Sequence, residues 1–340
     1  MTYSRKGAVD LLTRTPTALF PIALGLVGLG STFQIGLGVL PFGFMESLGI
    51  GLLLLGSLIL TLDVCFYLTK LIFARSAVLY DLSRATPANL LAPGFMAAMV
   101  IGGALHYFHP LAGGLLWLIA TCGHFILLVS FVGHWLTHEY QPKSLNPTWL
   151  LPAAGIMTAT MSWPGYGPIE WPIFILAVGG ALWVMLLPPI FRRVVFEPAF
   201  KPQLRPTLFI IAAPFGLMAG AIITLFPDAP AIVPDLLLSG GSFFILVLLF
   251  QYKFIARAGT SLSWWATTFP IATLAAGFLR LSSNALDYNL IAGSGLLLLA
   301  CLTTGFAVIA TVQAAWFTSV KTAARTESQI AAMQGREEGL

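Results

Sequence analysis

The sequence predicts an all-α polytopic membrane protein, with ten transmembrane helices arranged as five helical hairpins around a central pore lined by the odd-numbered helices. Three observations carry that prediction. Charged residues make up only 9% of the 340 residues, and the mean hydropathy is +0.89, whereas ordinary soluble domains carry about 25% charged residues. The apolar residues fall into ten membrane-length runs with basic residues on alternate connections. A proline recurs in every odd run and is missing from the middle of the even ones.

The runs are Thr17–Val39, Ser47–Phe73, Ala92–Tyr107, Leu111–Trp135, Thr148–Trp163, Trp171–Phe191, Thr207–Phe226, Ile232–Ile255, Leu262–Leu279 and Leu290–Phe317. Most reach the roughly 17 to 25 residues a helix needs to cross about 30 Å of hydrocarbon; the third and fifth are short. The expected organisation is a cytoplasmic N-terminal segment over residues 1–15, a transmembrane channel or transporter domain over 16–318, and a cytoplasmic tail over 319–340. The polar N-terminus MTYSRKGAVDLLTRTP lacks the h-region and cleavage site of a secretory signal.

Ten crossings place both termini on one side, and 16 of the 17 basic residues lie on that side; the exception is Arg280. The opposite connections hold Glu46, Glu170, Asp228, Asp235 and Asp287. By the positive-inside rule both ends are cytoplasmic, in what is expected to be a bacterial cytoplasmic membrane. The same asymmetry explains the pI of 9.1 through basic loops facing anionic lipid, so no nucleic-acid partner is expected. Cys65, Cys122 and Cys301 lie inside apolar runs without paired spacing, which indicates neither a disulfide framework nor a metal site. No cofactor is expected.

Taken in order, the first run carries Phe20, Pro21, Gly25, Gly28 and Gly30, small residues that let backbones approach closely. The second is leucine-rich, proline-free and lipid-facing in character. It contains Asp63, which at mid-membrane would cost about 2.5 to 3.5 kcal/mol if charged and unpaired; it is a candidate for proton coupling, or else a structural partner to a neighbouring hydroxyl or imidazole. The third opens at Pro93 and Gly94. The fourth carries His124 and His134 and ends at His138-Glu139, where Pro142 replaces the second histidine of a metalloprotease HExxH; such histidines read as packing residues. The fifth holds Pro152 and Gly155, the sixth ends at Pro188-Pro189, and the seventh holds Pro214, Gly216 and Gly220. The tenth is proline-free, and the eighth is so beyond Pro234 at its start. The ninth, SLSWWATTFPIATLAAGFLR, places Thr267, Thr268 and Pro270 in its middle, with bulky Phe269 between them and Gly277 beyond. Pro270 lacks an N–H, so the carbonyl of Ala266 needs another partner, such as a hydroxyl.

Pro21, Pro93, Pro152, Pro214 and Pro270 recur at hairpin-length intervals of 56 to 72 residues, an internal repeat. Disturbed backbone at membrane depth is tolerated only in protein or against water. The five odd helices therefore belong inside and the even ones outside. Glycines near the axis favour a conduit over a solid centre. Without a mid-span Lys or Arg on the odd helices, that conduit would rely on backbone N–H groups, the hydroxyls of Thr158, Thr160, Thr267 and Thr268, and helix N-termini, all of which favour anions.

The motifs NPTWLLPAAG, RPTLFIIAAPFGL and SWWATTFP, at these separations on ten spans, resemble the tellurite-resistance/dicarboxylate transporter family. That family includes bacterial TehA, fungal malate and sulfite transporters and the plant guard-cell slow anion channels. The resemblance runs from about Pro16 to Phe317. It implies five hairpins around a pore lined by proline-kinked odd helices, a trimer with one pore per subunit, and a pore-occluding phenylalanine, which by motif is Phe269. Pro270 stands where TehA-like members can have glycine.

The expected function is a channel or uniporter for small inorganic or carboxylate anions, seated in the lipid bilayer and gated by Phe269. The alternative is a proton-coupled secondary transporter of a malate-like dicarboxylate, sulfite or tellurite-related oxyanion, working through Asp63. An enzyme is not expected: the sequence offers no nucleophile elbow, paired catalytic carboxylates, metal-ligand cluster or phosphate loop.

Overall fold

The computed structural model describes residues 17–40, 42–283 and 286–337, with side chains described as far as Trp316. The expected N-terminal segment 1–15 lies outside the described residues, as do the side chains of the tail. Among the described residues, nine segments are long and apolar enough to cross a membrane, and the protein is an all-α polytopic membrane protein.

The principal helices are α1 (Phe20–Gly36), α2 (Phe44–Phe73), α3 (Ala92–His106) and α4 (Pro110–Thr137). The fifth apolar run becomes α5, a broken segment over residues 147–161. It passes from 3-10 turn (Pro147–Trp149) to α (Leu150–Ala153), to 3-10 (Ala154–Ile156) and back to α (Met157–Met161). Then follow α6 (Glu170–Phe196), α7 (Ala213–Leu225), α8 (Ile232–Phe250), α9 (Thr268–Leu281) and α10 (Tyr288–Glu337).

Each odd helix packs on its even successor: α1 on α2, α3 on α4, α5 on α6, α7 on α8 and α9 on α10. The odd helices also pack on one another, α1 on α3, α3 on α5, α5 on α7, α7 on α9 and α9 back on α1, which closes a ring. Burial follows that division. In the apolar windows of the other four odd segments 56 to 78% of residues are buried, against 22 to 33% in the even ones. Leu54, Leu58 and Leu62 of α2 and Ile119 and Ile126 of α4 are exposed, as befits helices solvated by lipid rather than water.

α5 is the one expected crossing that is not among the nine membrane-length segments. Its residues Asn146 to Thr160 are all buried, so protein surrounds it on every side and its length is not set by contact with hydrocarbon.

The prolines sit differently from the mid-helix kinks expected of them. Pro21, Pro93 and Pro214 occupy the first positions of α1, α3 and α7, and Pro270 lies in the first turn of α9. There the missing N–H would have had no intrahelical partner in any case. The disturbance lies one step earlier, in 3-10 stretches that lead into α7 (Pro202–Ala212) and α9 (Leu262–Thr267). A 3-10 run of 11 residues far exceeds the three or four that are usual. The sixth helix also departs from expectation, because it continues through Pro188 and Pro189 to Phe196.

Candidate functional site

Two cavities lie inside the ring. The first is a narrow chamber of about 30 Å³ bounded by the N-terminal turns of the odd helices, with Pro21 from α1, Pro93 from α3, Gly155 from α5, Pro214 from α7 and Pro270 from α9 in its wall. Apart from the Met96 thioether, its side chains are aliphatic, aromatic, proline or glycine. That volume holds a water or two and excludes a hydrated ion. The second is a vestibule of about 770 Å³ bounded by the opposite ends of the same helices, including Thr32, His106, Ser162, Thr224 and Arg280. The five odd helices therefore run parallel, with their N-termini around the chamber and their C-termini around the vestibule.

Among the described residues, Phe269 alone lines both cavities. It is 4% exposed and stands where the two linings meet. Its seat is Gly28 of α1, where a Cβ would stand 2.6 Å from the Phe269 Cδ2. Only a glycine lets the ring lie that close to the α1 backbone. Backbone order in α9 comes from its own threonines: Thr268 Oγ1 donates to the Trp265 carbonyl at 2.9 Å, Thr267 Oγ1 to that of Trp264 at 2.8 Å, and Thr273 Oγ1 to that of Pro270 at 3.0 Å. These bonds fix the 3-10-to-α junction directly beside the ring.

The charge pattern is one-sided. Among the described residues, neither cavity is lined by Asp or Glu, and Arg280 is the single Lys or Arg on either wall. The narrow chamber is also encircled by the amino ends of helices, which carry partial positive charge.

A family model described as SLAC1, Voltage-dependent anion channel, matches residues 14–314. The chain belongs to the SLAC1 family. A curated relative is the "Tellurite resistance protein TehA homolog" of Haemophilus influenzae, 24% identical over 262 residues that cover 76% of this chain and 79% of that protein. Two plant relatives from Arabidopsis thaliana are the S-type anion channel SLAH3, 28% identical over 174 residues covering 48% of this chain and 26% of its own, and SLAH2, 26% identical over 240 residues covering 67% and 44%. The chain thus spans less than half the length of the plant channels it matches. The match places this integral membrane protein among anion channels and transporters.

Within this SLAC1-family chain, the sequence-predicted residues divide into those on the cavities and those behind them. Pro21, Pro93, Gly155, Pro214, Pro270 and Phe269 line the narrow chamber, and Gly277 lines the vestibule. The remaining expected lining residues are set back. Thr267 and Thr268 do not border either cavity; their hydroxyls are spent on the carbonyls freed at the junction, one and two positions before the Ala266 carbonyl singled out from sequence. Gly25 is where α1 crosses Thr268 and Trp265, and Gly216 is where α7 meets Thr273. Phe20 packs on Gly94, whose Cβ would come within 2.7 Å of its ring, and on Tyr67 at a ring separation of 5.9 Å. Pro152 is set back as well, its carbonyl taken by His124 Nε2 at 3.0 Å, which gives that buried histidine a structural task. Thr160 donates to the Pro172 carbonyl at 3.0 Å, while the buried Thr158 Oγ1 has no partner.

Asp63 lines neither cavity. It is buried on α2 with its Oδ2 unpartnered. Sequence reasoning passed over two residues of the site. Gly28 looked like one of several packing glycines, and Arg280 looked like the exception to a loop-charge rule. The latter carried a usable signal, since a lone arginine on the side otherwise stripped of basic residues has a reason to be there.

Proposed function

We propose that the protein is a channel or uniporter for small anions, in which the two cavities are the halves of one permeation path and Phe269 is its gate. The observation that carries the proposal is that, among the described residues, this one ring alone borders both cavities. Rotating it aside would join a wide vestibule to a chamber framed by helix N-termini, with no acidic side chain on the way. An apolar ring closes such a path by sterics and by dewetting. The absence of carboxylates, the single arginine and the helix ends all favour anions over cations. The relatives' names, S-type anion channel and tellurite resistance protein, support the same direction.

In this reading α5 is the tenth crossing, made through protein. The basic ends face the cytoplasm, and the vestibule opens to the other side of a bacterial cytoplasmic membrane. The exposed apolar faces of the even helices meet lipid and the neighbouring subunits of a homotrimer, each subunit with its own pore.

The test is the reversal potential of the Phe269→Ala protein in a planar bilayer under a potassium chloride gradient. The proposal expects a current reversing near the chloride equilibrium potential. A reversal near that of potassium, or no current from folded protein, would reject it.

A further inference from the structure

We propose that Arg280 is an anion-capture site in the vestibule, selecting planar oxyanions such as nitrate and carboxylates over chloride before they reach Phe269. The inference rests on the anion-conducting reading above and names the group that discriminates among its substrates.

Arg280 lies in the last turn of α9 and is exposed to the vestibule that it lines. Its position is fixed by one bond, from Nη1 to Thr224 Oγ1 of α7 at 3.0 Å. Thr224 is itself anchored, donating its proton to the Gly220 carbonyl at 2.8 Å, so it presents a lone pair to the arginine. A guanidinium has five N–H donors. Among the described residues Arg280 donates only to Thr224, and no carboxylate pairs with it. Its other donors are left to the vestibule that it lines.

Three of the neighbouring hydroxyls already donate elsewhere. Thr32 gives its proton to the carbonyl of Gly28 at 2.8 Å, Thr273 to that of Pro270 at 3.0 Å, and Ser162 to that of Thr158 at 2.7 Å. They offer oxygen lone pairs, which repel anions. His106 Nδ1 lies 3.3 Å from the Pro110 carbonyl. Among the described residues, Arg280 is therefore the charged donor of the vestibule and its one Lys or Arg. Its planar fork matches two oxygens of a carboxylate or nitrate, and it gains little of that second contact from a spherical chloride. The bond to Thr224 holds the fork in place so that less side-chain freedom is lost on binding.

The experiment measures saturation of nitrate and chloride flux in proteoliposomes, in the Phe269→Ala background so that the gate does not limit the rate. Arg280→Gln is expected to raise the half-saturating nitrate concentration roughly tenfold, the weight of one charge-assisted hydrogen bond, and to raise that for chloride less. Arg280→Lys keeps the charge and loses the fork; chloride saturation should stay near the parent's while the nitrate preference falls. Thr224→Val, which frees the arginine without removing it, should weaken nitrate preference in the same direction. If Arg280→Lys leaves the nitrate-to-chloride ratio at the parent value, the fork is not the selector and the inference is overturned. Unchanged saturation by both anions in Arg280→Gln overturns it as well. A Phe269→Ala parent that carries no anion flux would instead defeat the channel reading itself.

Discussion

Replacing Gly28 with alanine tests the proposed gate from its far side. The added Cβ would lie 2.6 Å from the Phe269 Cδ2 and 3.3 Å from Cε2, whereas ordinary contact begins near 3.4 Å. The ring edge must therefore retreat by about 0.8 Å, the difference between those contact distances. On a lever of roughly 2.5 Å from the χ1 axis that is a turn of about 20°, which costs about 0.5 to 1 kcal/mol for a side chain held off its rotamer. The closed state loses that amount while an open state, with the ring already swung away, does not. The ratio of open to closed should rise about two- to fivefold. Alanine is a better helix former than glycine by nearly 1 kcal/mol, so α1 itself should not suffer. The assay is nitrate flux in proteoliposomes for the wild type, Gly28→Ala, Phe269→Ala and the double variant. Phe269→Ala removes the clashing atoms, so Gly28→Ala should have no further effect in that background, as a double-mutant cycle would record. An equal increase in both backgrounds would mean that the methyl spreads α1 from α9 without touching the gate, and would refute the reasoning.

Further predictions concern residues behind the cavities. Removing the imidazole in His124→Ala leaves the buried Pro152 carbonyl without the donor it now has at 3.0 Å; a loss of about 1 to 3 kcal/mol should appear as a lower melting temperature in detergent, with anion selectivity unchanged in the surviving protein. Asp63→Asn should leave anion flux and its response to an imposed proton gradient as they are, because Asp63 lines neither cavity; flux abolished by that variant would restore the proton-coupled alternative. Asp287, in the loop before α10, accepts the Ser283 backbone N–H at 3.0 Å and that of Leu290 at 2.7 Å, and these bonds to its charged form hold its carboxyl below the usual carboxylate range. A folded-state pKa below the unfolded one means its stabilisation is present above the unfolded value and is lost as pH falls through the folded value. Asp287→Asn should flatten that acid limb of the melting temperature, measured below about pH 4.

The ring was legible because membrane solvation is severe. Lipid tolerates no broken backbone, so five prolines at hairpin spacing marked five inner helices, and those helices do pack on one another in the order 1, 3, 5, 7, 9. Phe269 was singled out through its motif, and it borders both cavities. What could not be read was direction around each helix. Phe20 and Gly94 face one another, and Thr267 and Thr268 turn back on their own carbonyls. Both outcomes depend on rotations of a few tens of degrees that helices apolar all round do not reveal. Apolar residues encode burial, and burial alone does not distinguish a pore wall from a helix contact. The prolines were right in number and mistaken in role. A proline in a first turn costs little, so the irregularity moved into 3-10 runs such as Pro202–Ala212, for which sequence carries no sharp signature. The fifth run looked too short because length was judged against lipid, while its residues are enclosed by protein.

The most direct measurement is macroscopic anion current as the side chain at position 269 shrinks, from phenylalanine to leucine to alanine, normalised to folded protein in the membrane. The account predicts a low current for the wild type, an intermediate one for Phe269→Leu and a large one for Phe269→Ala, with anion selectivity retained throughout. Currents that stay equal across the three proteins would contradict it.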